Sequence, residues 1–152
     1  MAETEKLVEQ LVSKFGKTRN SLLPVLQGVV QEEHFLSDDA MIAIAKALNL
    51  SSADVYGTAS FYTFLETEPR GKNIIRVCKT ITCKMKGKQQ IIEAIQNHLK
   101  ISEGETTRNN KFTLLAANCL GWCHKGPVML VNDDVYSQVH EDDVIEILDK
   151  YL

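Results

Sequence analysis

The chain has 152 residues, a length for one or two small domains. Its 44% hydrophobic and 24% charged residues match an ordinary soluble globular protein, and no apolar run approaches the roughly 18 to 20 residues that cross a bilayer. A formal net charge of −3 gives no reason to expect nucleic acid as a partner.

The N-terminal stretch MAETEKLVEQLVSKF lacks the uninterrupted apolar core of a signal peptide, and its acids argue against a transit peptide. The expectation is a cytoplasmic chain without direct membrane insertion, in a compartment where thiols stay reduced. Leu7, Val8, Leu11, Val12 and Phe15 form one apolar stripe at helical spacing. Asn20 is a candidate cap for a second helix, with Pro24 in its first turn and Leu22, Leu23, Leu26, Val29 and Val30 as its buried face. Ser37 with Asp38 and Asp39 opens a third, whose inward residues are Met41, Ile44, Ala45 and Leu48. SSAD at 51 to 54 resembles a capping box with Asp for the usual Glu or Gln, and opens a fourth helix that runs to about Phe61. Four short helices with short loops predict a small bundle over residues 1–70.

After EPRGK (68–72) the periodicity changes. NIIRVC is a β-branched strand, Ile91, Ile92, Ile95 and Leu99 mark a helix, and SEGETTRNNK is a polar loop. FTLLAAN and VMLV read as strands, NDD turns the chain into VYSQV as a hairpin, and Val144, Ile145, Leu148 and Tyr151 define a closing helix. The order over residues 71–152 is β-α-β-β-β-α, close to the core of a thioredoxin-like fold. The fold class is therefore α/β, a helical bundle followed by that second domain.

The only four cysteines fall in two pairs, in VCKTITCKMKG (77–87) and CLGWCHKGP (119–127). The first pair follows the first strand of the second half, and the second lies between its second strand and the hairpin. Loops at strand ends are where α/β sheets build sites, so both pairs could meet at one edge. A reducing compartment disfavours disulfides. Flanking Gly, Lys, Thr and Asn disfavour four unrelated buried thiols, although a free cysteine commonly packs as a small hydrophobe. A Cys₄ zinc site most often uses C-x₂-C steps, whereas these pairs read C-x₄-C and C-x₃-C. A 2Fe–2S cluster takes two thiolates on each iron and is served by a C-x₄-C step in plant-type proteins. Spacing favours iron–sulfur and leaves a zinc-stabilised Cys₄ interaction module as the alternative. The absence of C-x-x-C argues against a dithiol redox site, and no C-x-x-C-H marks haem attachment.

The stretches VYGTASFYTFLETEPRGKNIIRVC, CKTITC, GETTRNNKFTLLAANCLGWCHKGPVMLVNDDVY and LLPVLQGVVQEEHFLSDDA carry a wider likeness. Over about residues 10 to 150 the chain resembles the small thioredoxin-like 2Fe–2S subunit of respiratory complex I, a family shared with NAD(P)-linked hydrogenases and formate dehydrogenases. The resemblance implies that Cys78, Cys83, Cys119 and Cys123 ligate one 2Fe–2S cluster. It also implies an electron-transfer subunit of an NAD(P)H-linked oxidoreductase complex, exchanging single electrons with a flavin-bearing partner. That complex would be a bifurcating or NAD-reducing hydrogenase or an NADH:quinone oxidoreductase, at the inner face of the membrane where the complex sits there. FMN and NAD(P) are expected on the partner, with the helical half as the docking surface. Further hydrogenase, formate dehydrogenase or complex I subunits are implied as companions.

Two residues depart from the family's pattern. Trp122 stands where a small residue is common, and reads either as a ring shielding the cluster or as a partner contact. His124 belongs to HKG, another departure, and is expected beside the cluster rather than on it. Arg76, Lys79, Lys84, Lys86 and Lys88 surround the first pair with no acid among them, as a solvated face, a docking patch or a source of cluster tuning. Gly87 and Gly121 are expected to let backbone N–H groups approach the sulfurs. No Gly-rich phosphate loop, flavin motif or nucleophile with a placed base is visible, so no residue is assigned a catalytic role and the chain alone is expected to be silent.

Overall fold

The computed structural model describes residues 2–152, and the change of periodicity near residue 70 separates two units, Met1–Pro69 and Arg70–Leu152. In the first, apolar spacing gives α1 (Ala2–Phe15), α2 (Leu22–Glu33), α3 (Asp38–Leu48) and α4 (Ser52–Phe61). Their stripes meet in one core around Val8, Leu26, Val29, Ile44 and Val55, each at most 1% exposed. Phe15, at the end of the α1 stripe, stays exposed.

Caps fix the starts of α3 and α4. Ser37 Oγ accepts from the Ala40 amide at 3.1 Å, and Ser51 Oγ accepts from the Asp54 amide at 3.1 Å. The reciprocal half of the second box differs from the usual form: Ser51 Oγ donates to Asp54 Oδ2 at 2.7 Å, a side-chain bond that suits the shorter Asp. Asn20 is not the cap of α2. It lies within a 3₁₀ turn, Arg19–Ser21, and Ser21 precedes α2 with its hydroxyl donating to the Phe15 carbonyl at 2.8 Å. That bond ties the turn back to the end of α1.

The second unit is a four-stranded sheet with helices. Its elements are β1 (Asn73–Cys78), α5 (Ile81–Met85), α6 (Lys88–Leu99), β2 (Phe112–Ala117), β3 (Val128–Val131), β4 (Asp134–Ser137) and α7 (Glu141–Asp149). The strand order is β2-β1-β3-β4. β1 runs parallel to β2, from Asn73 opposite Phe112 to Cys78 opposite Ala117, and antiparallel to β3. β3 and β4 form the hairpin, and Val139, expected in its second strand, is buried just beyond it.

Side-chain alternation puts Ile75, Val77, Phe112, Leu114, Met129 and Val131 in one core with Ile91 and Ile95 of α6 and Val144 and Leu148 of α7. Arg76 points the other way from Ile75 and Val77 and is only 7% exposed, so it does not belong to a surface patch of cations. The helix α5 has no counterpart among the expected elements. It is five residues long and has too few apolar positions to show a period.

Gly71, just before β1, fits because it has no side chain: a Cβ there would lie 2.8 Å from the Phe112 carbonyl carbon and 2.9 Å from its nitrogen. The backbone must approach this closely for the Gly71 amide to donate to Thr113 Oγ1 at 2.7 Å. Gly57, inside α4, has open space around the same position. Gly71→Ala should therefore lower stability by about 1–3 kcal/mol through overpacking against backbone. Gly57→Ala should raise it by about 0.5–1 kcal/mol through helix propensity. Urea unfolding followed by far-ultraviolet circular dichroism measures both, and equal effects would contradict the packing account.

Candidate metal centre

Cys78 is the last residue of β1, and the strand after it turns into α5, which carries Cys83. On the neighbouring strand, β2 ends at Ala117 and the next turn carries Cys119 and Cys123, the latter opening a 3₁₀ turn, Cys123–Lys125. Because β1 and β2 are parallel and in register to their ends, both turns leave the sheet side by side. The Lys79 amide donates to the Ala117 carbonyl at 2.8 Å, across the point where they separate.

The four thiols meet as two pairs. Cys119 Sγ and Cys123 Sγ lie 3.2 Å apart, and Cys78 and Cys83 are near enough for each thiol to influence the other's ionisation. The pairs are close enough for the charges of Cys83 and Cys78 to act on Cys123. Among the described residues, no three His, Cys, Asp or Glu side chains gather around a point fit for one metal ion.

Burial differs between the pairs. Cys78 and Cys83 are each 1% exposed, Cys123 is half-buried and Cys119 lies open. Burial pushes the Cys78 thiol up, but hydrogen bonds from the Thr80 side chain and amide and from the Leu120 amide outweigh it and hold Cys78 below the ordinary thiol range. Burial, then the hydrogen bond with Cys78, raises Cys83 despite the Val128 amide. The hydrogen bond with Cys119, followed by burial and the neighbouring sulfurs, raises Cys123. Thr80 Oγ1 lies 3.2 Å from Cys78 Sγ, and the Gly121 amide donates to Cys119 Sγ at 3.4 Å. Gly121 thus does what its position suggested. Gly87 does not: its amide donates to the Lys84 carbonyl at 3.3 Å. Gly126 leaves room for a sulfur, since a Cβ there would stand 3.2 Å from Cys83 Sγ.

Trp122 and His124 go together. Their rings stack with centroids 6.0 Å apart and planes 15° apart, and Lys125 Nζ lies 5.8 Å from the Trp122 centroid. Trp122 is 39% exposed, so the ring covers part of the second turn and still presents a face to solvent. Lys79, Lys84 and Lys86 are exposed around the first turn, and Lys88 is half-buried at the start of α6. Thr80, Leu120 and Val128 carry no signal in the sequence, because backbone donors leave no trace in residue type.

A family model, thioredoxin-like [2Fe-2S] ferredoxin, matches residues 8–152. The chain belongs to this family. Among its relatives, an NADH-quinone oxidoreductase subunit of Buchnera aphidicola subsp. Acyrthosiphon pisum is 40% identical over 129 residues, covering 85% of this chain and 80% of the relative. The subunit of the same name in Pseudomonas aeruginosa is 33% identical over 153 residues, covering 100% of this chain and 92% of the relative. Its namesake in Escherichia coli is 32% identical over 150 residues, covering 99% and 90%. Among solved structures, an NAD⁺-reducing [NiFe]-hydrogenase in its air-oxidized state matches with a TM-score of 0.75 at 19% identity. The match covers 86% of this chain and 22% of that longer one, and it shows a shared fold.

The cofactor of this ferredoxin family is a 2Fe–2S cluster, and the donor set fits one. Two thiols per iron is the requirement, and two pairs of thiols is the arrangement found. A tetrahedral metal with bonds of about 2.3 Å would set two sulfurs about 3.8 Å apart. The 3.2 Å separation of Cys119 and Cys123 needs only a small opening to reach that.

The burial contrast gives a test on the reduced, metal-free ferredoxin. Brief alkylation should label Cys119 and Cys123 well before Cys78 and Cys83, with peptide mass spectrometry reading the order. Simultaneous labelling of all four in the folded chain would refute the buried placement of the first pair.

Proposed function

We propose that Cys78, Cys83, Cys119 and Cys123 are the four ligands of the cluster, and that the chain works as an electron-transfer subunit of an NAD(P)H-linked oxidoreductase complex. The observation that carries this reading is the meeting of four thiols as two pairs at one end of the sheet. A bound 2Fe–2S cluster supplies one-electron redox chemistry. The chain's own residues hold, insulate and polarise it. Cys78 and Cys83 anchor it from the buried side, and Cys119 and Cys123 close it from the surface side. The Gly121 amide and the Thr80 hydroxyl lie against the sulfurs, and the Thr80, Leu120 and Val128 amides act on Cys78 and Cys83 in the sense that favours negative charge. Trp122 shields the second turn.

NADH gives up a hydride, so a flavin must stand between it and a one-electron centre. The partner in this reading is therefore a flavin- and NAD-binding subunit, in a complex of the kind named for the relatives. Residues 71–152 serve as the cluster domain and residues 1–70 as the docking domain. Exposed aromatic side chains on α4 and its exit support a docking role: Tyr56 is 56% exposed, Phe61 77% and Tyr62 43%. No helix among the described residues is long and apolar enough to cross a membrane, so any place at a membrane comes through the complex.

Anaerobically purified chain should hold two irons and two acid-labile sulfides, with one unpaired spin after reduction. One zinc and no labile sulfide would end this reading. Cys→Ser at each of the four positions should lose or distort the cluster, and His124→Ala should keep it. Loss on the His124 change equal to that on a Cys change would refute the four-thiolate assignment.

Exposed lysines act on the encounter with an acidic partner more than on affinity, since each such pair contributes only about 0.2–1 kcal/mol. Lys79→Glu with Lys84→Glu should slow association with the flavin-bearing subunit and flatten its salt dependence, read by stopped-flow mixing. Unchanged kinetics would reduce the lysines to a solvated face.

A further inference from the structure

One exposed lysine of the first turn hydrogen-bonds across to the second. Lys86 Nζ donates to the Cys123 carbonyl at 3.1 Å and stands 3.4 Å from the His124 carbonyl. Its backbone amide donates to the Cys83 carbonyl at 3.2 Å. One residue therefore bonds to a cysteine of each pair. Its stem packs against the second turn, with Cδ 3.4 Å from the Cβ position of Gly126, where the absence of a side chain leaves room.

This geometry has a physical purpose that a solvated lysine would not have. The first pair is buried, Cys78 at the end of a central strand and Cys83 on the inner side of the short helix α5. The second pair rides on an exposed turn that begins after β2 and ends at β3. A cluster needs the two pairs at one fixed separation, and an exposed turn alone does not keep that separation. Carbonyls at the end of a short helical turn attract a cation, and the Cys123–Lys125 turn presents two of them to Lys86. The same ammonium is a unit positive charge beside a centre that gains negative charge on reduction.

We propose that Lys86 is a positioning residue that clamps the turn bearing Cys119 and Cys123 onto α5, so fixing the spacing of the thiol pairs and favouring the reduced cluster. The proposal rests on the four-thiolate assignment made above. Lys79 and Lys84, in this account, face the partner, whereas Lys86 serves the site from within the chain.

The test compares full-length wild type with Lys86→Met, Lys86→Gln and Lys86→Arg. In the metal-free chain, hydrogen exchange of the amides of residues 119–126 should be faster in Lys86→Met and restored to the wild-type rate in Lys86→Arg. In the loaded chain, iron release to a chelator should quicken on the order of fivefold in Lys86→Met, the scale of losing one modest hydrogen-bonded contact. Lys86→Gln, which keeps a donor but no charge, should release iron more slowly than Lys86→Met. Both uncharged variants should show a lowered midpoint potential, and Lys86→Arg, whose guanidinium keeps charge and donors, should match wild type. Wild-type exchange and release rates in Lys86→Met would overturn the clamp, as would a Lys86→Arg variant no better than Lys86→Met. A wild-type chain that holds no iron would instead sink the ligand assignment, while the exchange experiment still decides whether the clamp exists.

Discussion

The site depends on the parallel register of β1 with β2. Cys78 stands opposite Ala117, and that pairing brings the two strands to an end together, so both cysteine turns leave the same end of the sheet. β3 returns antiparallel to β1 and starts at that end, which is how the Val128 amide comes to face Cys83. Registers of this kind are held by burial. A slip of β1 by one residue would move Ile75 and Val77 out of the core and turn Cys78 to the opposite face. The hydrophobic core that stabilises the second unit is thus also what aligns the two cysteine turns. A core substitution that loosens this register would be felt as a change in the metal centre without touching a cysteine.

The polar surroundings of the sulfurs divide into two kinds with different reach. The amides of Thr80, Leu120, Val128 and Gly121 are fixed by the backbone, so salt and side-chain motion barely alter their influence on the sulfurs. Exposed lysines act through water, are screened beyond about 8 Å at physiological ionic strength, and lose rotamer freedom when they pair. The amides therefore act at short range whatever the salt, whereas any influence of the lysines falls with ionic strength. The chain's net charge of −3 makes this local positive region more distinct, because it is not part of a general excess of cations.

The elements legible in the sequence are those long enough to show a period. The stripes of α1, α2, α3 and α6 and the β-branched run of β1 are readable because each buries one face, and burial writes a repeat into the residue order. Ser37 and Ser51 are readable as caps because capping selects by side chain. Asn20 misleads for the same reason: it is a favoured cap type, but Ser21 precedes the helix and bonds back to Phe15. The five-residue helix α5 is shorter than two turns and shows no period. The cysteine spacing points to the cluster, yet the amide donors and the Lys86 bridge are invisible in the sequence, since they depend on how two distant turns face each other. Arg76 reads as a surface cation because most of the basic residues near it in sequence are lysines. Strand alternation decides its direction instead.

The two thiol pairs differ in what they must overcome to hold a metal, and polar groups that offset burial are spread unevenly between them. Charge on a buried sulfur is disfavoured by desolvation, which is the largest influence on both Cys78 and Cys83. The donors concentrate there: Thr80 through hydroxyl and amide, then the Leu120 and Val128 amides. Leu120 belongs to the second turn and Val128 to the strand that follows it, so part of the compensation for the buried pair comes from the second turn and the strand after it. Cys119 and Cys123 lie nearer water, which solvates charge without help, and the structure gives Cys119 a single amide from Gly121. Stability of the inner half therefore depends on the placement of the outer half. The outer turn covers the site, and its Leu120 amide is among the groups that favour charge on Cys78.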